Sequence, residues 1–179
     1  MMRLIKGVLV VMISLFSIIT LFSLLIPSSV RISRAVVINN TDAAAVYKQI
    51  IPFENWKNWH PIFTVDSATF SREANGASFH IIHRQQEVLL LLQKADSNSV
   101  QFLLQNKEVN DVQNEIVIHS LPSQQAVQVE WRTITRLNWY PWEKFYGIFL
   151  DQLTGASYEG ALNGLKGFLE GSLSNKKAI

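Results

Sequence analysis

Cysteine is missing from the 179 residues, which rules out disulfides and thiolate-bound metal. Charge of one sign is missing too. There are 16 basic and 14 acidic residues; setting aside Arg3 and Lys6, which precede an apolar run, leaves 14 against 14. A nucleic-acid binder gathers a basic excess on one face, and none is visible here. Motifs that carry chemistry are equally scarce. The histidines His60, His80, His83 and His119 have no metal-ligand spacing, and no helical HExxH occurs. His80 and His83 lie three apart on an expected strand, so they face opposite sides. No serine sits in a nucleophile elbow, and there is no glycine-rich phosphate loop. The residues give no reason to expect a metal, a cofactor or a catalytic constellation.

What is present begins with grease. Gly7 to Ile26 is 20 residues without a charge, rich in Leu, Ile, Val and Phe. At about 1.5 Å per residue, that length crosses the roughly 30 Å hydrocarbon layer. A transmembrane helix is expected over Leu4 to Ile26. The rival is a cleaved signal peptide, whose apolar stretch is usually about 7–15 residues before a small-x-small site. This run is longer, and Leu25-Ile26-Pro27-Ser28-Ser29 is a poor site. Arg3, Lys6 and the amino terminus precede the helix, and Arg31 and Arg34 follow it. The positive-inside rule leans toward a cytoplasmic N-terminus and an exported domain. In a bacterium that domain would sit in the periplasm, tethered to the inner membrane.

Residues 1–29 are read as anchor and short linker, 30–171 as one domain, and 172–179 as a disordered tail. Val30 to Ile38 reads as a strand. Asn40-Thr41-Asp42 then supplies N-cap side chains for a helix through Ala43, Val46 and Ile50, ended by Pro52. Phe53 to Trp59 is expected as a second short helix, stopped by Pro61. Strands are expected over Thr64–Ser71, Ser78–Arg84, Glu87–Gln93, Val100–Asn106 and Val112–Leu121, with Asn75-Gly76 as a hairpin turn. The cleanest alternation sets Val127, Val129, Trp131, Thr133 and Thr135 against Gln128, Glu130, Arg132 and Arg136. That is a half-buried antiparallel strand, and it makes Glu130 and Arg132 solvated outer-face residues.

A helical region begins at Pro141 and runs to about Glu170. Tyr158, Ala161, Leu162, Leu165, Phe168 and Leu169 share one face; Glu159, Asn163, Lys166 and Glu170 share the other. Gly160, Gly164, Gly167 and Gly171 line up beside the apolar face. Each interior glycine costs a helix about 1 kcal/mol relative to alanine, so several in register mark a close approach, either to the sheet or around a ligand.

Certain stretches resemble a known family. They are Arg34-Ala35-Val36-Val37-Ile38-Asn39, Phe53-Glu54-Asn55-Trp56-Lys57-Asn58-Trp59-His60-Pro61, Tyr140-Pro141-Trp142-Glu143-Lys144-Phe145, and Gly155 to Lys166 (GASYEGALNGLK). With the order of elements, they resemble the START-like, or Bet v 1-like, superfamily. The group most alike is the bacterial polyketide cyclase/dehydrase and lipid-transport group (SRPBCC), in the subset with an N-terminal membrane helix. The middle strands match in pattern only and are short of the glycines often seen there. The resemblance implies an α+β helix-grip fold: a curved antiparallel sheet around a long C-terminal helix, preceded here by one transmembrane helix. It also implies a cavity for a hydrophobic small molecule, without implying one reaction.

Ten residues are candidates for lining that cavity: Trp56, Trp59, His60, Phe79, Ile81, Phe102, Trp131, Tyr158, Leu162 and Leu165. The plain alternative is that the aromatics fill the core and that His60 packs in a loop. Trp139, Tyr140 and Trp142 offer a further alternative, contact with the bilayer interface, where such rings are enriched. The leading functional expectation is non-catalytic binding of a hydrophobic molecule or lipid beside the membrane, with no nucleic-acid partner. One alternative is a cyclase- or dehydratase-like enzyme with His60 or Tyr158 as acid–base, which requires both in one pocket. The other is an envelope interaction module with a filled interior. The sequence sets no oligomeric state.

Overall fold

The computed structural model describes residues 2–65, 69–72, 78–83, 86–106 and 109–176. A helix, α1 (Met2–Ser23), leads into β1 (Ser29–Asn39). α1 is long and apolar enough to cross a membrane, and its large apolar side chains point outward without a protein partner. After β1, Asp42 caps α2 (Ala43–Ile50), its carboxylate accepting from Ala45 N–H at 2.7 Å. A 3₁₀ turn (Phe53–Asn58) and α3 (Pro61–Val65) follow.

Six strands come next: β2 (Thr69–Arg72), β3 (Ser78–His83), β4 (Gln86–Asp96), β5 (Ser99–Asn106), β6 (Val109–Leu121) and β7 (Ala126–Arg136). They join β1 in one antiparallel sheet of order β1-β7-β6-β5-β4-β3-β2. The register slips at Leu92/Lys94 and at Leu104/Asn106; such irregularities bend a strand and tighten its twist. The last element is α4 (Pro141–Lys176). This is the helix-grip α+β arrangement.

One expected boundary is corrected. Thr64 was read as opening a strand, yet Thr64 and Val65 belong to α3, and β2 starts at Thr69. Pro61 was read as a stop. The 3₁₀ turn does end before it, but Pro61 also starts a helix, because its fixed φ and missing N–H suit a first helical position. α4 also runs on to Lys176, past the expected end near Glu170. The Asn75-Gly76 turn lies outside the described residues.

The core sits between the concave face of the sheet and the helical layer. On β7 the alternation holds: Val127, Val129, Trp131 and Thr133 are buried, while Arg132 and Arg136 are exposed. Glu130 accepts from Ser33 at 2.7 Å and from Arg132 at 2.6 Å on the outer face, and these bonds hold its pKa down at about 2. From α4, Ala161, Leu162, Leu165 and Leu169 enter the core. Two polar ties pin α4 to β1. Arg34 meets Asp151 at 2.7 Å, and Glu170 accepts from the Asn39 backbone N–H at 2.9 Å.

The glycines of α4 separate into two kinds. At Gly164, a Cβ would stand less than 3.0 Å from the backbone carbonyl oxygen of Trp59. Its close approach is thus to the loop before α3. Gly160, Gly167 and Gly171 have open space beside them.

Candidate functional site

The structure brings the ten candidates together. Trp56, Trp59, Phe79, Ile81, Phe102, Trp131, Leu162 and Leu165 are buried in one cluster, against which Tyr158 packs, and His60 joins through its ring contacts. Trp56 is the hub. Its ring lies 5.2 Å from Phe53, 5.4 Å from Trp59, 5.5 Å from Phe102 and 5.4 Å from Trp131, mostly edge-on. Edge-to-face pairs add about 0.5–1.5 kcal/mol each beyond area burial. The indole N–H groups are satisfied locally. Trp56 donates to Ile50 O at 2.9 Å, Trp59 to Gln49 O at 3.0 Å, and Trp131 to Asn114 Oδ1 at 3.0 Å. The cluster therefore has the character of packed core.

His60 stacks on Trp56 at 5.6 Å with the rings 2° from parallel, and lies 4.7 Å from Phe63. Its Nδ1 is buried and lacks a hydrogen-bond partner. Burial lowers its pKa to about 4, so the ring is neutral near pH 7. Tyr158 meets Trp131 at 5.4 Å. Burial raises its pKa, and a hydrogen bond with Thr133 partly offsets this. His60 reaches the same Trp131 ring at 6.2 Å.

A pocket of about 580 Å³ opens where the first half of α4 leaves the ends of β6 and β7. Its lining includes Tyr158 but not His60, so this pocket does not hold the acid–base pair that the enzyme alternative requires. Tyr158 is also the one member of the ten on this lining, so it stands between the pocket and the aromatic core. Val112, Leu137, Leu150 and the rings of Tyr140, Trp142 and Tyr146 make the walls greasy. At one end is a polar knot: Asn110 and Asn138 both donate side-chain amide hydrogens to Glu143, and Asn138 also donates to Asn110 Oδ1 at 3.3 Å. Thr135 and Thr154 add hydroxyls. An apolar trough with a carboxylate and two amides at one end can hold an amphiphile whose polar tip donates hydrogen bonds.

Sequence reasoning missed most of this lining. Asn110, Asn138 and Glu143 are ordinary surface residue types, separated by a strand pair that only the fold brings together. The one signal was the aromatic cluster around Pro141.

Elsewhere, His80 meets Glu87 at 2.8 Å on the outside of the sheet, and His119 lies 4.0 Å from Glu130. Among the described residues no group of three or more His, Cys, Asp or Glu could hold a metal.

No protein-family model matches the chain, and no curated protein matches it. Solved structures do. An uncharacterized protein of Bacillus thuringiensis superposes with a TM-score of 0.60 at 16% identity, covering 78% of this chain and 98% of that one. A START superfamily protein from Mycobacterium smegmatis gives 0.50 at 15% identity, covering 75% of this chain and 98% of its own. The di-domain ARO/CYC StfQ from the steffimycin biosynthetic pathway gives 0.60 at 10% identity; 82% of this chain is covered, against 52% of StfQ. At these identities the likeness is one of fold, and that fold is START-like.

Proposed function

We propose that the chain is a single-pass, membrane-tethered domain that binds a hydrophobic small molecule or lipid and does no chemistry on it. The observation that carries this reading is the amphipathic pocket beside Tyr158, large enough for a drug-sized amphiphile or part of a lipid. The polar knot refines the ligand. Glu143 is already bonded to two amides, so an anionic tip would meet a carboxylate, whereas a hydroxyl or an amine would find acceptors. Tyr158 would then act as the inner wall, and rotation of its ring would open a way toward Trp131. START-like neighbours, among them a polyketide ARO/CYC, support a fold suited to such ligands. α1 supports the tether, and Arg3 and Lys6 favour an N-terminus in the cytoplasm with the domain outside.

A photoactivatable long-chain alcohol, added to the full chain in membranes, tests this reading. Label should concentrate on the peptides holding residues 110–112 and 137–158. Label spread evenly over the surface, or confined to α1, would overturn the binding proposal. It would favour the second reading, an interaction module with a filled interior, which the packed aromatic core supports.

A further inference from the structure

The first half of α4 buries one side and carries an apolar stripe on the opposite one. Lys144, Gly147 and Leu150 face inward. On the other side, at helical spacing, stand Trp142, Phe145, Tyr146, Phe149 and Leu153, each between 40% and 65% exposed. No charge interrupts this stripe. Beyond Leu153 the same side continues as Ala156, Gly160, Asn163 and Gly167, so the bulk ends midway along the helix. Soluble helices put polar residues on their outer face, as the second half of α4 does with Glu159 and Asn163.

The stripe starts where the membrane helix stops. The buried Lys144 ammonium donates to Ile26 O at 3.3 Å and to Ser28 Oγ at 2.6 Å. Leu137 N–H donates to Ser28 O at 2.9 Å, and Ser23, the last residue of α1, is fully buried. The linker is therefore clamped, and the start of α4 is held against the end of α1. Trp139, Tyr140 and Trp142 sit there in series, 5.0 Å between successive rings, with Tyr140 stacked on Trp142 and Trp139 tilted against Tyr140. Exposed Trp and Tyr at this level have the composition of a membrane-interface belt.

We infer that the outer stripe of α4, from Trp142 to Leu153, lies in the interfacial layer of the bilayer that holds α1, and that the pocket beside Tyr158 therefore opens onto lipid. Tyr140, Trp142 and Tyr146 belong both to the exposed aromatic cluster and to the pocket lining, so immersing one immerses the rim of the other. A ligand would then enter sideways from the membrane without crossing water. The inference rests on the tether reading.

The full chain is reconstituted into phosphatidylcholine bilayers brominated near the headgroup end of the acyl chains, and tryptophan emission is measured. Trp56, Trp59 and Trp131 are each 3% exposed, so quenching reports on Trp139 and Trp142. The expected result is clear quenching in the wild type, most of which is lost in the Trp139→Phe/Trp142→Phe variant. Equal emission in brominated and plain bilayers overturns the inference, as does quenching that survives in the variant. Efficient Phe149→Cys disulfide cross-linking between two copies also overturns it, by giving the stripe to a second chain. Alkaline carbonate extraction separates the two levels. A chain released by carbonate defeats the tether itself, whereas a retained chain with unquenched tryptophans defeats only the docking of α4.

Discussion

His60 illustrates how an environment decides what a residue can do. A histidine near neutral pH is the usual base, yet this one is enclosed by Trp56, Phe63 and Trp131, with an orphaned Nδ1. The unfolded chain takes up its proton near pH 6.5, and the folded chain only near pH 4. Between those values the unfolded state binds more protons, so stability must fall as pH falls through that window. The full effect is on the order of 3 kcal/mol. Denaturation of the wild type and His60→Phe at stepped pH should show a steeper acid loss in the wild type; parallel curves would contradict the buried neutral ring. Gly164 makes a second prediction at this scale. Gly164→Ala adds a methyl against the Trp59 carbonyl, a backbone atom that cannot swing aside, and should cost about 1–3 kcal/mol. Gly160→Ala enters open space and should gain about 0.5–1 kcal/mol. Thermal denaturation of the two variants should therefore shift in opposite directions.

At the scale of elements, periodicity made the ends of the chain legible and left the connections obscure. The alternation from Val127 to Arg136 and the apolar face from Tyr158 to Leu169 each carry a single burial direction, so the sequence alone placed both. The Asp42 cap was readable for the same reason: one side chain satisfies one local N–H. At Pro61 only the stop was read and the start of α3 was missed, because proline stops one helix and starts another with the same ring. The aromatic candidates were named as cavity lining, and the structure gathers them in one buried cluster; large apolar rings must be buried somewhere, but period and composition do not say whether rings surround a space or fill it. The pocket rim escaped because it joins β6, the segment after β7, and α4. Lys144 belongs to this scale as well. Its ammonium ties the linker to α4, so Lys144→Met should free residues 24–28 and speed their cleavage by a broad-specificity protease severalfold. Unchanged cleavage would mean that the clamp does not hold the linker.

The whole molecule sets an apolar N-terminal helix, a clamped linker and an open trough side by side. The sheet, the 3₁₀ turn with Trp56, and the rear half of α4 make the aromatic core, and the front half of α4 makes the trough and its exposed flank. In the proposed reading, binding and membrane contact fall at one end, the end where Trp139, Trp142, Phe149 and Leu153 stand exposed. The most direct measurement is native mass spectrometry of the full chain released gently from membranes, compared with Thr154→Trp, whose indole would fill the pocket. The account predicts about one amphiphile with an uncharged or cationic polar tip per wild-type chain, in the one-site logic of ligand linkage, and its loss in the variant. A wild-type chain that carries nothing, or a variant that carries the same adduct, would contradict it.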